Sequence, residues 1–236
     1  AAPYGMTVDY LGDRAAMLFA MVQRNLTDSF WAPSVDIGDQ ITFIDASLAQ
    51  LFSTNRSHNP YHRSHDRRVN RQFVFGGEGP DVLLGGRKSD RLYGGAGVDI
   101  LSGGLGGDDY LEGGIGDDIY QVTSADLTTT KDAQGADVYH LGEGIAVEID
   151  DPDAQLDAMS IGYTVVGGWF AQDEENANLW RSKDDEVTVD RGGESVSISA
   201  HGNTIELHHF QEGDYGIEFH EPEKFEEPLA FQPLQF

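Results

Sequence analysis

The chain has 236 residues, a formal net charge of −26, no cysteine, and 39% hydrophobic residues that include 12 Phe, 9 Tyr and 3 Trp. That length supports one large or two small domains with a sizeable core, and the aromatic content argues against wholesale disorder. The charge sets the chain against phosphate backbones and anionic lipid, so nucleic acid is not an expected partner, and the lack of cysteine removes disulfides and thiolate metal sites.

Residues 1–72 read as a mixed N-terminal segment. The chain opens Ala1-Ala2-Pro3-Tyr4 without an initiator methionine, and we expect it to be a piece of a longer polypeptide. Asp13 is the expected N-cap of a helix reaching about Asn25, with Ala16, Phe19 and Val22 as its apolar stripe. The apolar run Met17–Val22 is far too short to cross a bilayer, and acids precede it where a signal peptide is basic. Gln40–Asp45 alternates like a strand. The loop that follows holds His58, His62, His65 and Asp66, a set with zinc-type donors. Arg63, Arg67 and Arg68 oppose a cation there, so a solvated basic loop is expected.

Residues 73–122 are an internal repeat with a beat of nine: "GGEGPDVLL" from Gly76, "GGRKSDRLY" from Gly85, "GGAGVDILS" from Gly94, "GGLGGDDYLE" from Gly103 and "GGIGDDIYQ" from Gly113. The pattern is G-G-x-G-x-D-x-U-x, with U apolar. The fourth copy has one extra residue, placed at Gly107, which makes Asp109 its repeat aspartate and Leu111 its apolar residue; the alternative phase, Asp108 with Tyr110, leaves Leu111 unplaced. Six Gly-rich residues make a turn, and x-U-x makes a short strand with one side chain inward. Two repeats therefore close one coil, and stacked coils give two parallel sheets around Leu83, Leu92, Leu101, Leu111 and Tyr120. The nonapeptide is a known calcium-binding β-helix signature.

One buried apolar side chain per nine ordered residues falls well short of the ordering entropy, and stacking brings aspartates of successive coils within about 5 Å. A hard cation resolves both deficits. Calcium takes six to eight oxygens, which two aspartates and the exposed carbonyls of Gly-rich turns can supply; binding then becomes folding free energy. Turns on the same side lie two repeats apart, so Asp81, Asp99 and Asp118 line one edge, with Asp90 and Asp109 on the other. Three interior calcium ions are expected, at Asp81/Asp99, Asp99/Asp118 and Asp90/Asp109. The turn glycines expected to shape these sites are Gly77, Gly79, Gly95 and Gly97, then Gly104, Gly106, Gly114 and Gly116. Lys88 replaces a turn glycine beside Arg87 and Arg91, which weakens the Asp90 edge.

Residues 123–236 read as a β-rich C-terminal cap with a loose tail. "EVTVD", "SVSIS" and "TIELHHF" alternate between turn signals, and the final stretch is rich in Pro and Glu. The acids Glu148, Asp150, Asp151, Asp153 and Asp157 read as a solvated turn, with a further calcium loop as the alternative. Trp31, Trp169 and Trp180 are expected to pack cores. No G-x-S-x-G, H-E-x-x-H or phosphate-binding glycine motif occurs, so no catalytic residue is assigned.

The five repeats from Gly76 to Gln121 resemble the RTX (repeat-in-toxin, haemolysin-type) calcium-binding family. "NTIELHHFQEGDYGIEF" (203–219) resembles the module that follows such repeats in many RTX proteins, and "NLWRSKDDEVTVD" (178–190) is similar to the segment preceding it. "YLGDRAAMLFAMVQRNL" (10–26) resembles a helix of large RTX proteins that carry a class 3 lipase-like hydrolase domain. The resemblance implies a parallel β-roll, a calcium-stabilised β-solenoid, in a mainly β chain. It also implies a polypeptide that passes through a type I secretion machine and folds extracellularly on meeting calcium. On that reading the chain supports an upstream effector domain of the same polypeptide, a lipase-like hydrolase. The alternative is a secreted adhesin or surface-layer protein whose β-rich cap binds a ligand.

Overall fold

The computed structural model describes residues 3–23, 34–37, 41–45, 71–123, 126–193 and 195–220. The His58–Asp66 loop, Trp31 and the tail beyond residue 220 lie outside them.

The repeats fold as the beat of nine requires. β3 (Arg71–Glu78), β4 (Val82–Gly86), β5 (Arg91–Ala96), β6 (Ile100–Gly104), β7 (Asp109–Ile115) and β8 (Ile119–Val122) alternate between two sheets, preceded by the hairpin β1 (Ser34–Ile37) and β2 (Ile41–Asp45). Every pairing among β3, β5 and β7, and among β4, β6 and β8, is parallel. Leu92 pairs with Leu111, which fixes the phase of the fourth copy: the insertion is at Gly107 and Asp109 holds the repeat position. Leu83, Leu92, Leu101, Leu111 and Tyr120 are all fully buried in one cluster.

Turns of neighbouring coils touch through glycine backbone. Gly97 and Gly116 both have φ +132°, a conformation that side-chain-bearing residues rarely adopt. A Cβ on Gly97 would lie 2.6 Å from the carbonyl carbon of Gly79 in the coil below. Gly97→Ala is therefore expected to destabilise the calcium-loaded chain by about 2 kcal/mol or more, from backbone strain and overlap together. Thermal unfolding in saturating calcium checks this against Gly12→Ala, whose added methyl meets nothing within 4 Å.

The sheets do not stop at residue 122. β9 (Leu127–Lys131) and β11 (Ala146–Asp150) extend the first sheet; β10 (Val138–Leu141) and β12 (Ala158–Ile161) extend the second, all in parallel register. Tyr139 and Met159 take the inward positions and are buried. β13 (Thr164–Val166) closes the second sheet antiparallel to β12. The first sheet continues through β18 (Asn203–His208), parallel to β11. From there β17 (Val196–Ala200), β16 (Val187–Asp190), β15 (Leu179–Ser182) and β14 (Gly168–Gln172) follow antiparallel, with β19 (Ile217–His220) outermost. The three alternating stretches expected as strands are β16, β17 and β18. Trp180 is buried, as expected, but Trp169 is 68% exposed and lies 4.1 Å from the His220 ring.

At the other end, α1 (Val8–Gln23) begins six residues earlier than expected. Thr7 caps it, its hydroxyl accepting the Asp9 N–H at 3.2 Å, while Asp13 lies inside the helix. Asp13 instead holds Arg91 at 3.0 Å and accepts the Tyr93 hydroxyl at 2.5 Å. Met17 and Ala20 face inward, whereas Ala16 and Phe19 are exposed, so the apolar stripe is shifted from the expected one. Tyr10, Phe75 and Tyr93 pack ring against ring, seating the helix on the outer face of β3 and β5.

Candidate calcium ladder

Each repeat ends its turn with an aspartate whose side chain folds back into the turn. Glycine at the first repeat position makes room for it: a Cβ at Gly76 or Gly85 would lie 2.7 Å from the Oδ2 of Asp81 or Asp90. The same clash arises at Gly94, Gly103 and Gly113 with Asp99, Asp109 and Asp118.

The backbone then ties each aspartate to the coil before it. Asp99 Oδ1 accepts the Asp81 N–H at 2.7 Å, and Asp118 Oδ1 accepts the Asp99 N–H at 2.8 Å. On the other edge Asp109 Oδ1 accepts the Asp90 N–H at 2.8 Å, and Asp90 Oδ1 accepts the Gln72 N–H at 2.6 Å. The structure thus brings together the three pairs expected from the spacing, including Asp90/Asp109 despite Lys88 and the Gly107 insertion. Among the turn glycines, Gly79, Gly95, Gly97, Gly104, Gly114 and Gly116 have φ between +102° and +132°. Gly77 donates its N–H to Asp81 Oδ2, and in the longer turn it is the inserted Gly107, not Gly106, that takes positive φ.

The second carboxylate oxygens differ between turns. Those of Asp81 and Asp90 accept the N–H of Gly77 at 3.1 Å and of Gly86 at 2.5 Å. Those of Asp99, Asp109 and Asp118 are buried with no N–H or O–H donor in reach among the described residues. A buried carboxylate oxygen without a partner costs several kcal/mol as an anion. Burial accordingly pushes Asp99 up to about 6, Asp109 to about 7 and Asp118 to about 8, with neighbouring aspartates adding to the effect. An all-oxygen donor set with orphaned anionic atoms fits a hard divalent cation such as calcium.

A pH dependence follows with a definite sign. These carboxyls have folded-state values above the ordinary 3.8, so the ion-free fold is favoured in acid and loses stability as pH rises from about 4 through about 8. In chelator, circular dichroism is expected to show more β structure at pH 5 than at pH 8. In saturating calcium the trend reverses, because protons then compete with the metal. A flat response in both buffers contradicts the assignment.

The roll runs two coils beyond the five repeats. Asp137 Oδ1 accepts the Asp118 N–H at 2.6 Å, and Asp157 Oδ1 accepts the Asp137 N–H at 2.8 Å, so the first edge runs on through two more turns. Asp151 and Asp157 are buried, not solvated as expected, because their turn is the next rung of the roll; Glu148, Asp150 and Asp153 remain at least partly exposed. The signal was present: "DAQGADVYH" keeps Gly135, Asp137 and the inward Tyr139 in repeat phase, with Asp137 19 residues beyond Asp118.

Comparison with known families matches the RTX calcium-binding nonapeptide repeat (4 copies) to residues 75–108 and 104–120. Comparisons with curated proteins and with solved structures found no match. No helix among the described residues is long and apolar enough to cross a membrane. Residues 75–120 of this chain are therefore RTX repeats of the calcium-binding kind, and their coils stack as a parallel β-solenoid.

Proposed function

We propose that the chain is a calcium-triggered folding module, exported unfolded through a type I secretion machine and folding outside the cell. There it stabilises an effector domain upstream in the same polypeptide, a lipase-like hydrolase. The observation that carries this is the row of buried aspartates, of which Asp99, Asp109 and Asp118 keep an outer oxygen without a partner among the described residues. Such a row favours the unfolded chain where calcium is scarce and the folded one where it is plentiful; extracellular calcium modules bind at about 10⁻⁴–10⁻³ M. The proposed metal ligands are Asp81, Asp90, Asp99, Asp109 and Asp118, with carbonyls of the glycine turns completing the shell. The proposed organisation keeps residues 1–72 as the link to the upstream domain, 73–122 as the repeat core, and the remainder as its β-rich cap.

The test has two parts. Calorimetric titration is expected to show calcium binding in preference to magnesium, together with a gain of β structure. A reporter fused ahead of the chain and expressed with a type I exporter is expected in the medium, and retained when calcium-dependent folding is forced before export. Export that is indifferent to calcium and to removal of the repeats overturns the secretion role.

One observation favours the alternative of a ligand-binding cap in an adhesin or surface-layer protein. Asn176, Asn178, Asp190, Ser197 and Glu206 line a polar cleft of about 490 Å³ on the C-terminal sheet. Binding of a neutral oligosaccharide there, lost in Asn178→Ala, would support that reading.

A further inference from the structure

The position that is glycine at the start of an ordinary turn changes identity along the first edge. Gly76, Gly94 and Gly113 are followed, at the same step of 18 or 19 residues, by Asp132 and Asp151. Each of these turns therefore carries an acid at its start as well as the aspartate at its end. The matched nonapeptides end at residue 120, so both turns lie outside them.

Three carboxylates meet at each place. Asp118, Asp132 and Asp137 have oxygens within 4.8 Å of one another, and so do Asp137, Asp151 and Asp157. Ligands about 2.3–2.6 Å from one calcium ion can stand no more than about 5 Å apart, so both groups span what one ion spans. Zinc, with shorter bonds and a preference for nitrogen or sulfur donors, fits neither. A second observation points to a ligand independently of the clustering. Asp118, Asp132, Asp137 and Asp157 are exposed by 1, 8, 1 and 7%, and the Oδ2 of each has no donor among the described residues.

Two tyrosines aim the added acids. Tyr120 places its hydroxyl 2.8 Å from Asp132 Oδ1 and equally from the Lys131 carbonyl oxygen, and Tyr139 donates to Asp151 Oδ2 at 2.6 Å. Each tyrosine sits 12 residues before its acid, and the two rings stack at 4.7 Å with 3° between their planes. The contact on Asp132 Oδ1 leaves its Oδ2 without a donor among the described residues, the way outer partners orient metal ligands generally, while Asp151 Oδ1 also accepts the Asp153 N–H at 3.3 Å. Lys131, the basic residue adjoining Asp132, is held by Asp150 at 2.9 Å.

We infer that the roll carries two further hard-cation sites outside its nonapeptides, Asp118/Asp132/Asp137 and Asp137/Asp151/Asp157, each closed by three carboxylates where an ordinary turn pair supplies two. Only the choice of calcium as resident ion rests on the function proposed above; the added ligands are different residues. Greater ligand charge makes these sites the tighter ones and lets them accept trivalent lanthanides at neutrality.

The test is a terbium titration of the full chain with excitation of tyrosine, since Tyr120 and Tyr139 adjoin the sites, alongside a calcium count by native mass spectrometry. Asp132→Gly restores the residue of an ordinary turn while deleting the third carboxylate. Asp132→Asn keeps an oxygen for Tyr120 and deletes only the charge, and it decides the matter if the glycine variant does not fold. Both are expected to lose at least half the sensitised emission and to weaken the tightest binding by about tenfold or more, while the ions of the nonapeptide turns are retained. A variant whose emission and ion count superimpose on those of the parent overturns this inference alone. A parent chain that binds no calcium anywhere overturns it together with the calcium reading of the repeats.

Discussion

Asp99→Ala is expected to raise the calcium concentration needed for half-maximal folding by about tenfold, and Asp90→Ala by no more than about threefold. Asp99 stands in the middle of an unbroken edge: its Oδ1 accepts from Asp81, its own N–H is taken by Asp118, and its Oδ2 is buried without a donor among the described residues. Removing it strips a ligand from the Asp81/Asp99 and Asp99/Asp118 sites together. Asp90 belongs to one pair, both its oxygens already accept backbone N–H groups, and Arg71 lowers the cost of its charge. Its turn also carries Lys88, whose place in the other turns is a glycine. Calcium titration followed by circular dichroism measures both shifts. Equal shifts contradict the assignment of Asp99 to two sites.

Leu101→Ala is expected to cost about 2–5 kcal/mol of stability in saturating calcium. Leu101 is fully buried, registered between Leu83 below and Tyr120 above, and the parallel strands on either side prevent the site from collapsing. Because folding and ion binding are linked, the same loss appears as a higher calcium requirement even though no ligand has been touched. Leu105→Ala is the control: it lies in the following turn, is 73% exposed, and is expected to change stability by less than about 0.5 kcal/mol. Denaturant unfolding of both variants at fixed calcium gives the comparison, and indistinguishable midpoints would remove Leu101 from the core.

The roll was legible because its signal is additive. Five copies in phase fixed the coil, the inward leucines, the edge pairing and even the position of the inserted Gly107. What was hidden followed from degeneracy, not from a different physics. After Tyr120 glycine is lost from the start of the turns, at Asp132 and Asp151 to a further carboxylate, so a pattern keyed to glycine ends while the backbone ladder continues. The helix start was misplaced because Asp13 looks like a cap in isolation. Its actual partners, Arg91 and Tyr93, are some 80 residues away and invisible to local reasoning. The exposed Trp169 is a similar case: its contact with His220 depends on β19 returning beside β14 in parallel.

Hydrogen exchange on the intact chain near pH 7.5, with calcium and after exhaustive chelation, tests most directly whether coordination, and not apolar burial, gives the roll its shape. Amides of β3 to β12, residues 71–161, are expected to be protected with the ion and to exchange at nearly unfolded rates without it. Undiminished protection across those strands in chelator would show that the leucine core suffices alone, and would contradict the account.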